Sequence, residues 1–135
     1  MDKYEVLKQY FGYDAFRDGQ EKMIDAITSG RDVLGIMPTG AGKSLCYQIP
    51  ALMAGENGGI TLVISPLISL MKDQVSALNQ AGVHAAYLNS SLTSGQYYKA
   101  LGYAREGRYP IIYVAPERLL TPEFLDFAVY AKIAM

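Results

Sequence analysis

The chain has 135 residues, half of them hydrophobic, and its twelve basic and thirteen acidic side chains leave a net charge of −1. This length corresponds to a single domain, and roughly two-thirds of the unfolded surface can be buried at this size. The near-neutral charge argues against nucleic-acid binding through bulk electrostatics, although helix N-termini and backbone amides still hold phosphates. No apolar run approaches the roughly 18 residues of a membrane helix. Cys46 is the single cysteine, so an intrachain disulfide is excluded and a reducing, cytoplasmic compartment is predicted.

The first thirty residues predict two helices. One covers residues 4–11 and places Val6, Leu7 and Tyr10 on one face. The second is expected to start with Asp18 as its N-cap, with a glutamate three residues later, and to end at Gly30. We therefore expect residues 1–30 to form an N-terminal helical segment and residues 31–135 to form the main domain.

Residues 31–135 alternate apolar, β-branched segments with helical ones. Strands are predicted at 33–37, 60–65, 84–88 and 111–115, and helices at 44–53, 66–81 and 94–106, with one or two more over 116–130. This alternation is typical of an α/β fold, a three-layer parallel sheet with helices on both faces. In such folds ligands bind at the carboxyl ends of the strands.

A glycine-bearing segment, Met37-Pro38-Thr39-Gly40-Ala41-Gly42-Lys43-Ser44, follows the first predicted strand and opens a helix. Such a turn directs successive N–H groups, and the helix N-terminus, toward the phosphates of a nucleotide. The predicted ATP contacts are amides at Thr39, Gly40, Ala41 and Gly42, with Lys43 on the β/γ-phosphates and Ser44 on Mg²⁺. The general P-loop pattern has glycine where this chain has Met37, so a chance glycine-rich turn is the alternative.

The form Pro-Thr-Gly-x-Gly-Lys-Ser, in which the first glycine is not required, resembles motif I of superfamily 2 helicases. Residues 11–20 and 62–75 resemble motifs 0 and Ia of the RecQ family of ATP-dependent DNA helicases. Residues 88–91 resemble a family turn near DNA, and residues 113–119 resemble motif Ib. The resemblance runs from residue 5 to the last residue and implies a P-loop NTPase fold, the first RecA-like helicase domain.

By this resemblance Tyr13, Arg17 and Gln20 bind the adenine base. A glutamine amide offers a donor and an acceptor together, and tyrosine and arginine present flat surfaces on which a base can stack. The alternative is a helix start with an exposed glutamine and arginine and two packing aromatics. Some 20 residues before motif I, the base-binding interpretation is favoured.

The DNA contacts that the resemblance implies follow the later strands. Ser65 is expected to cap a helix that starts at residue 66, where a phosphate of single-stranded DNA can rest on the helix N-terminus. The full set is Ser65, Ser69 and Lys72 after the second predicted strand, Asn89 and Ser90 after the third, and Arg118 after the fourth. The alternatives are an ordinary amphipathic helix, plain strand-to-helix connections, and an ion pair of Arg118 with Glu117 or Glu123.

The function implied is 3′–5′ unwinding of duplex DNA coupled to ATP hydrolysis, in replication, recombination and repair, with a nucleoid or nuclear location. The family's Asp-Glu-Ala-His segment should follow motif Ib, but the chain has no Asp-Glu pair and residues 132–135 look like the start of that strand. We therefore expect a truncated domain, inactive alone, whose exposed apolar surface favours self-association. The alternatives are a non-catalytic nucleotide- or DNA-binding module and a small-molecule kinase, which predicts glycine at position 37 and has no use for motifs 0 and Ia.

Overall fold

A computed structural model describes residues 1–38 and 42–135. The chain forms two compact units, an N-terminal unit of Met1–Met53 and a C-terminal unit of Ala54–Met135. This division lies at residue 53, whereas the sequence suggests a boundary at residue 30, and the assignment of residues 1–30 as a separate domain stays a prediction. Helix α3, Leu45–Gly55, starts in the first unit and ends in the second.

The N-terminal unit begins with helix α1, Lys3–Val6, which continues as a π-helical turn, Leu7–Phe11. Asp2 caps α1 by accepting a hydrogen bond from the Glu5 N–H at 2.9 Å. Helix α2, Gln20–Thr28, starts from Gly19 in the left-handed conformation (φ 85°) without a side-chain cap. The prediction that Asp18 caps this helix was therefore wrong, because a left-handed glycine occupies the cap position.

Charged side chains join α1 to α2. Lys3 Nζ lies 2.6 Å from the Asp25 carboxylate and 3.1 Å from that of Glu21, and the Tyr4 hydroxyl donates to Glu21. The bond to Asp25 raises the pKa of Lys3 to about 12. The bond from Tyr4 lowers the pKa of Glu21. We call these four residues the α1–α2 clamp.

The strand predicted at residues 33–37 is absent. These residues belong to no helix or strand, and Leu34 and Ile36 are 88% and 85% exposed. An apolar segment becomes a strand only when a neighbour satisfies its N–H and C=O groups. Among the described residues, every strand pairing involves residues from 60 onward.

The C-terminal unit contains a parallel sheet of β1 (Thr61–Ile64), β2 (Ala85–Leu88) and β3 (Ile111–Val114), in the order β1-β3-β2. Its helices are α4 (Ile68–Gln80), α5 (Ser94–Arg105) and α6 (Pro122–Tyr130), with a 3₁₀ turn at Pro116–Arg118. The last residues run parallel beside β1, where the Ile60 N–H donates to Lys132 O and the Ala134 N–H donates to Ile60 O, both at 2.8 Å.

Helices cover both faces of this sheet. On one face Ile112 and Val114 of β3 belong to a core cluster that includes Leu101 of α5 and Phe127 of α6. On the other face the Tyr113 hydroxyl donates to Gln74 of α4 at 3.1 Å. The alternation of side chains along β3 produces this split, because successive residues of a strand point to opposite faces. The predicted layered parallel α/β fold is confirmed.

Turn chemistry determines where these helices begin. Helix α4 begins at Ile68, two residues later than predicted, and the prediction that Ser65 caps it was wrong, because Leu67 is the N-cap. The Ser65 hydroxyl instead accepts a bond from the Leu67 N–H at 3.2 Å and closes a turn before the helix. Thr93 and Gln96 form a reciprocal capping box at the start of α5. Within the described ranges, no helix combines the length and the apolar character needed to cross a membrane.

Candidate functional site

A cavity of about 350 Å³ in the N-terminal unit joins the motif 0 and motif I segments. This volume lies within the roughly 300–1,000 Å³ typical of small-molecule sites. We call it the motif 0 cavity, and its lining residues are Phe11, Tyr13, Ala15, Arg17, Gln20, Gly42, Ser44 and Leu45. All three side chains predicted to bind a base, and two residues predicted to bind phosphate or Mg²⁺, therefore meet at one cavity.

Gln20 links the two motifs. Its side chain is only 1% exposed, its Oε1 accepts a bond from the Arg17 N–H at 2.8 Å, and its Nε2 donates to the Gly42 carbonyl at 3.0 Å. Gly42 has a φ of 77°, and a Cβ added there would lie 2.4 Å from Gln20 Nε2. The left-handed backbone at position 42 therefore favours glycine, and a side chain there would also displace the Gln20 amide from its bond to the Gly42 carbonyl.

Gln20 holds motif I in place in this structure, and reading of the adenine edge by its amide stays a prediction. A glutamine amide accepts and donates more than one bond at each end, so the observed bonds leave capacity for a base. Tyr13 is 52% exposed at the cavity, which leaves its ring available for stacking. Arg17 lines the cavity beside it.

The start of helix α3 carries the remaining described motif I residues. The Lys43 carbonyl accepts from the Cys46 N–H at 3.1 Å, and the Ser44 carbonyl accepts from the Gln48 N–H at 2.9 Å. A helix start leaves its first N–H groups without intrahelical acceptors and has a positive dipole end, which suits an anion. Lys43 is exposed. Thr39, Gly40 and Ala41, predicted to supply phosphate-binding amides, lie outside the described residues.

Three apolar cavity residues, Phe11, Ala15 and Leu45, were missed by reasoning from the sequence. Phe11 and Ala15 lie within the motif 0 segment, and Leu45 directly follows Ser44. Their positions inside the motifs were the available signal. Nothing in the linear pattern says which apolar residue of a motif faces a ligand and which faces the core.

The predicted DNA-contact residues lie in the C-terminal unit, after the ends of its strands. Ser65 follows β1, Ser90 follows β2 and is exposed, and Ser69 and Lys72 are exposed on α4. Arg118 ends the 3₁₀ turn after β3. Because the three strands are parallel, their carboxyl ends form one edge of the sheet, where ligands of α/β folds bind.

Asn89 is oriented differently from its neighbours. It is 0% exposed, and its Oδ1 accepts bonds from the N–H and the hydroxyl of Ser91. These bonds shape the connection between β2 and α5, as short polar side chains do in turns. A direct DNA contact by Asn89 stays a prediction; its observed hydrogen bonds are with Ser91 of the turn and, from its Nδ2, with Met71 Sδ of α4 at 3.8 Å.

Arg118 stacks on an aromatic ring. Its Cζ lies 4.8 Å from the ring centroid of Tyr97, a cation–π distance. In the described part of the chain, Arg118 Nε and the Tyr97 hydroxyl are buried without a hydrogen-bond partner, and Arg118 forms no ion pair with Glu117 or Glu123. Buried polar groups normally have hydrogen-bond partners, so both atoms are candidates to bind a polar group or a water molecule.

Carboxylate ligands for a metal are scarce. Within residues 1–38 and 42–135, no three His, Cys, Asp or Glu side chains come together in a way that could hold a metal ion.

Cys46 is buried, its thiol donates to Met37 Sδ at 3.7 Å, and burial raises the pKa of this thiol. This cysteine is therefore a thiol packed inside the protein, as predicted.

Comparison with known proteins identifies the family. A model described as "DEAD/DEAH box helicase" matches residues 17–130. The ATP-dependent DNA helicase RecQ of Bacillus subtilis strain 168 is 53% identical over 121 residues, which cover 89% of this chain and 20% of that protein. The protein of the same name from Haemophilus influenzae is 50% identical over 128 residues, 95% of this chain and 20% of that protein.

A solved structure agrees with this result. The crystal structure of a hypothetical ATP-dependent RNA helicase from Sulfolobus tokodaii superimposes with a TM-score of 0.63 at 27% identity, and covers 87% of this chain and 34% of that chain. The chain spans about 20% of the length of the RecQ relatives it matches. The small-molecule kinase alternative is set aside by these matches. Since the family model covers most of the sequence, the chain belongs to the DEAD/DEAH box helicase family.

Proposed function

We propose that this chain is the front part of a RecQ-like, ATP-dependent DNA helicase that unwinds duplex DNA in the 3′–5′ direction. The observation that carries this proposal is the motif 0 cavity, where Tyr13, Arg17 and Gln20 meet Gly42 and Ser44. Relatives that are about half identical carry the name ATP-dependent DNA helicase RecQ, which supports this activity for the whole protein. A location with the DNA, in a nucleoid or a nucleus, follows from the same proposal.

ATP fits the residues of the cavity. Tyr13 and Arg17 would hold the adenine ring between them, and the Gln20 amide would read its edge. The amides from Thr39 to Gly42 and the ammonium of Lys43 would bind the phosphates. Ser44 would contribute its hydroxyl to Mg²⁺, which normally takes its other ligands from phosphates, water and one or two carboxylates. The metal supplies charge neutralisation at the phosphates when it is bound.

Single-stranded DNA is proposed to cross the carboxyl edge of the sheet in the C-terminal unit. Ser65, Ser69, Lys72, Asn89, Ser90 and Arg118 are the proposed contacts. The unpartnered Arg118 Nε and Tyr97 hydroxyl support an oxygen-rich ligand at this edge. Contacts of this kind position the phosphate backbone without reading sequence, which suits a protein that moves along DNA.

The chain alone is proposed to bind nucleotide weakly and to lack DNA-stimulated ATP hydrolysis. Its 135 residues contain no Asp-Glu pair, which this class of enzyme needs to hold Mg²⁺ and orient the attacking water. In isolation it would therefore behave as a non-catalytic binding module. Turnover of ATP by the purified 135-residue chain would contradict this proposal.

The decisive experiment replaces the motif I lysine in the full-length parent protein. Lys43→Ala should reduce ATP hydrolysis and unwinding by on the order of 10²-fold or more, because a preorganised charge at the reacting phosphates is removed. DNA binding measured by fluorescence anisotropy should stay within a few-fold. Lys22→Ala is the matched control, because Lys22 is an exposed lysine of α2 that does not line the cavity. Unwinding that survives Lys43→Ala would refute the helicase proposal.

Self-association of the isolated chain is proposed from its exposed apolar side chains. Leu34, Ile36, Val129 and Tyr130 are between 74% and 88% exposed, and such residues in water favour association. Light scattering at increasing concentration should show growth in mass, and Leu34→Ser with Ile36→Ser should reduce it. A monomer at every concentration would contradict the proposal.

A further inference from the structure

Two tyrosines of helix α5 each carry an arginine on the ring, and the two pairs differ in burial. At the start of the helix, Arg118 Cζ lies 4.8 Å from the ring centroid of Tyr97. Near its end, Arg108 Cζ lies 4.3 Å from the ring centroid of Tyr103. Tyr97 is only 5% exposed, whereas Tyr103 is half-buried. Because a cation gains more on a ring that is shielded from water, the Tyr97–Arg118 pair is the stronger contact.

The Tyr97 ring is fixed by its surroundings. Thr93 caps α5, and its carbonyl accepts from the Tyr97 N–H at 2.9 Å. The ring belongs to the core cluster that includes Phe124 of α6. Tyr98 contacts it edge-on, with ring centroids 6.1 Å apart. A ring packed among these neighbours has little freedom to move, so it offers Arg118 a rigid surface.

The backbone of Arg118 is fixed as well. Its N–H donates to the Ala115 carbonyl at 3.0 Å, which closes the 3₁₀ turn after β3. Its carbonyl accepts from the N–H of Thr121 at 3.2 Å and from the hydroxyl of Thr121 at 2.7 Å. With the backbone held on both sides, the contact that orients the long side chain is the stack on Tyr97.

Two carboxylates compete with that stack for the guanidinium. Glu117 precedes Arg118 in the sequence, and Glu123 lines the same cavity of about 120 Å³ as Arg118 and Tyr97. In the described part of the chain, Arg118 forms an ion pair with neither carboxylate. The side chain lies on the aromatic ring instead.

We propose that Tyr97 is a positioning residue for DNA binding, whose ring holds the Arg118 guanidinium away from both carboxylates so that it meets a backbone phosphate of single-stranded DNA. This inference rests on the proposed DNA contact of Arg118. An arginine paired with a carboxylate must give up that pair before it binds a phosphate, whereas an arginine stacked on a ring keeps its N–H donors for the ligand. The strength of the phosphate contact is therefore set from α5 as well as from the turn that carries Arg118.

The test measures binding of the full-length parent protein to fluorescein-labelled oligothymidine by fluorescence anisotropy over a series of salt concentrations. Tyr97→Leu removes the ring but keeps an apolar side chain, and it should weaken binding about threefold to tenfold. One phosphate contact on a single strand contributes about 0.7 to the slope of log K against log salt. Tyr97→Leu and Arg118→Ala should both flatten the slope by about this amount, which a general loss of stability would not do.

Two further variants serve as controls for the ring. Tyr97→Phe keeps the ring and should bind within about twofold of wild type with the wild-type salt slope, because the uncharged hydroxyl releases no counterions. Tyr103→Leu removes the other arginine-bearing ring of α5 and should change neither affinity nor slope. If Tyr97→Phe shows the flattened slope of Tyr97→Leu, or if Tyr103→Leu weakens binding as much, the positioning role is overturned.

A double variant tests whether Tyr97 acts through Arg118. Tyr97→Leu combined with Arg118→Ala should bind no more weakly than Arg118→Ala alone, because the two residues serve one contact. A further loss in the double variant would overturn the proposal. Should Tyr97→Leu fail to fold, Arg118→Lys keeps the charge without the flat guanidinium, and wild-type binding by that variant contradicts the proposal.

The same measurements separate this inference from the proposed function. If wild-type protein binds and unwinds DNA, Lys43→Ala abolishes unwinding and Tyr97→Leu binds DNA like wild type, the role of Tyr97 is overturned and the helicase proposal stands. If wild-type protein binds no single-stranded DNA, the proposed function itself fails.

Discussion

Different interactions are prominent inside each of the two units of this protein. In the C-terminal unit all four residues of β3 are at most 2% exposed, and apolar side chains of α5 and α6 pack on one face of the sheet. In the N-terminal unit the segment around the motif 0 cavity is held by polar contacts, the α1–α2 clamp and the amide of Gln20. Both units bury apolar side chains, such as Ile24 and Ile49 in the N-terminal unit, whereas around the motif 0 cavity directed polar bonds set the geometry.

Because of this difference, we expect stability and nucleotide binding to depend on different residues. Burial of apolar surface is the larger and less directional contribution to folding, whereas hydrogen bonds contribute modest net energy but determine geometry. Substitutions in the C-terminal core should therefore act on unfolding. Substitutions at the cavity should change nucleotide binding more than they change stability.

The largest stability effect is expected from the core of the C-terminal unit. Phe127→Ala should lower the free energy of unfolding by about 3–5 kcal/mol, because Phe127 is 1% exposed and its removal leaves a cavity between α6 and the sheet. Denaturant unfolding followed by circular dichroism measures this change. Leu125→Ala is the control on the same helix, since Leu125 is 44% exposed. Equal losses in both variants would contradict the burial argument.

A smaller stability effect and a clear functional one are expected at Gln20. Gln20→Met should lower the free energy of unfolding by about 1–3 kcal/mol, because the Arg17 N–H and the Gly42 carbonyl lose a buried partner. ATP affinity of the parent protein should fall as well, and calorimetric titration measures it. Gln20→Glu keeps the acceptor for Arg17 but not the donor to Gly42. If this variant binds ATP like wild type, the Gly42 bond is not what shapes the cavity.

A loss of about 1 kcal/mol is expected when the hydrogen bond between Tyr113 of β3 and Gln74 of α4 is removed. Tyr113→Phe removes the hydroxyl that donates to Gln74 at 3.1 Å while keeping the buried ring. The midpoint of chemical unfolding should shift slightly with no change in slope. A loss as large as that of Phe127→Ala would show that polar bonds matter as much as packing in this unit.

The smallest effect is expected in the α1–α2 clamp and depends on pH. The pKa of Glu21 is lowered from its ordinary 4.5, so its contribution is present above that value and is lost as the pH falls through the lowered pKa. The contribution of Lys3 is present below its ordinary 10.5 and is lost as the pH rises through about 12.

Glu21→Gln should therefore lower the melting temperature slightly at neutral pH, and the difference from wild type should vanish in acid. All four side chains of the clamp are at least partly exposed to solvent, where ion pairs contribute little. Thermal unfolding at neutral and acid pH checks this, with the exposed Glu5→Gln of α1 as control. A difference from wild type that persists unchanged in acid would show that charge is not the cause.

The local sequence pattern predicts some elements of the fold, whereas others depend on tertiary contacts. The segments at 60–65, 84–88 and 111–115 were identified as strands from their composition, and all three form the sheet. The segment at 33–37 is also apolar but has no strand partner among the described residues. The composition of a segment indicates its preference for the strand conformation. Pairing also requires a neighbouring strand, which lies outside any short window of sequence.

The candidate site shows the same division. The resemblance to motif 0 implies Tyr13, Arg17 and Gln20 as base-binding residues, and the structure brings these three to one cavity with Gly42 and Ser44. The sequence does not predict that Gln20 is buried against Gly42, that Phe11 lines the cavity or that Asn89 is buried, because each depends on side-chain direction at a turn.

By itself the sequence determined the helicase motifs, the order of the elements and the parallel α/β class, because these depend on residue type and spacing along the chain. Only the tertiary structure decided which strands pair, which motif side chains face a cavity and which are buried. The physical reason is that pairing and burial are set by contacts between residues far apart in sequence, such as Gln20 with Gly42 and Tyr113 with Gln74.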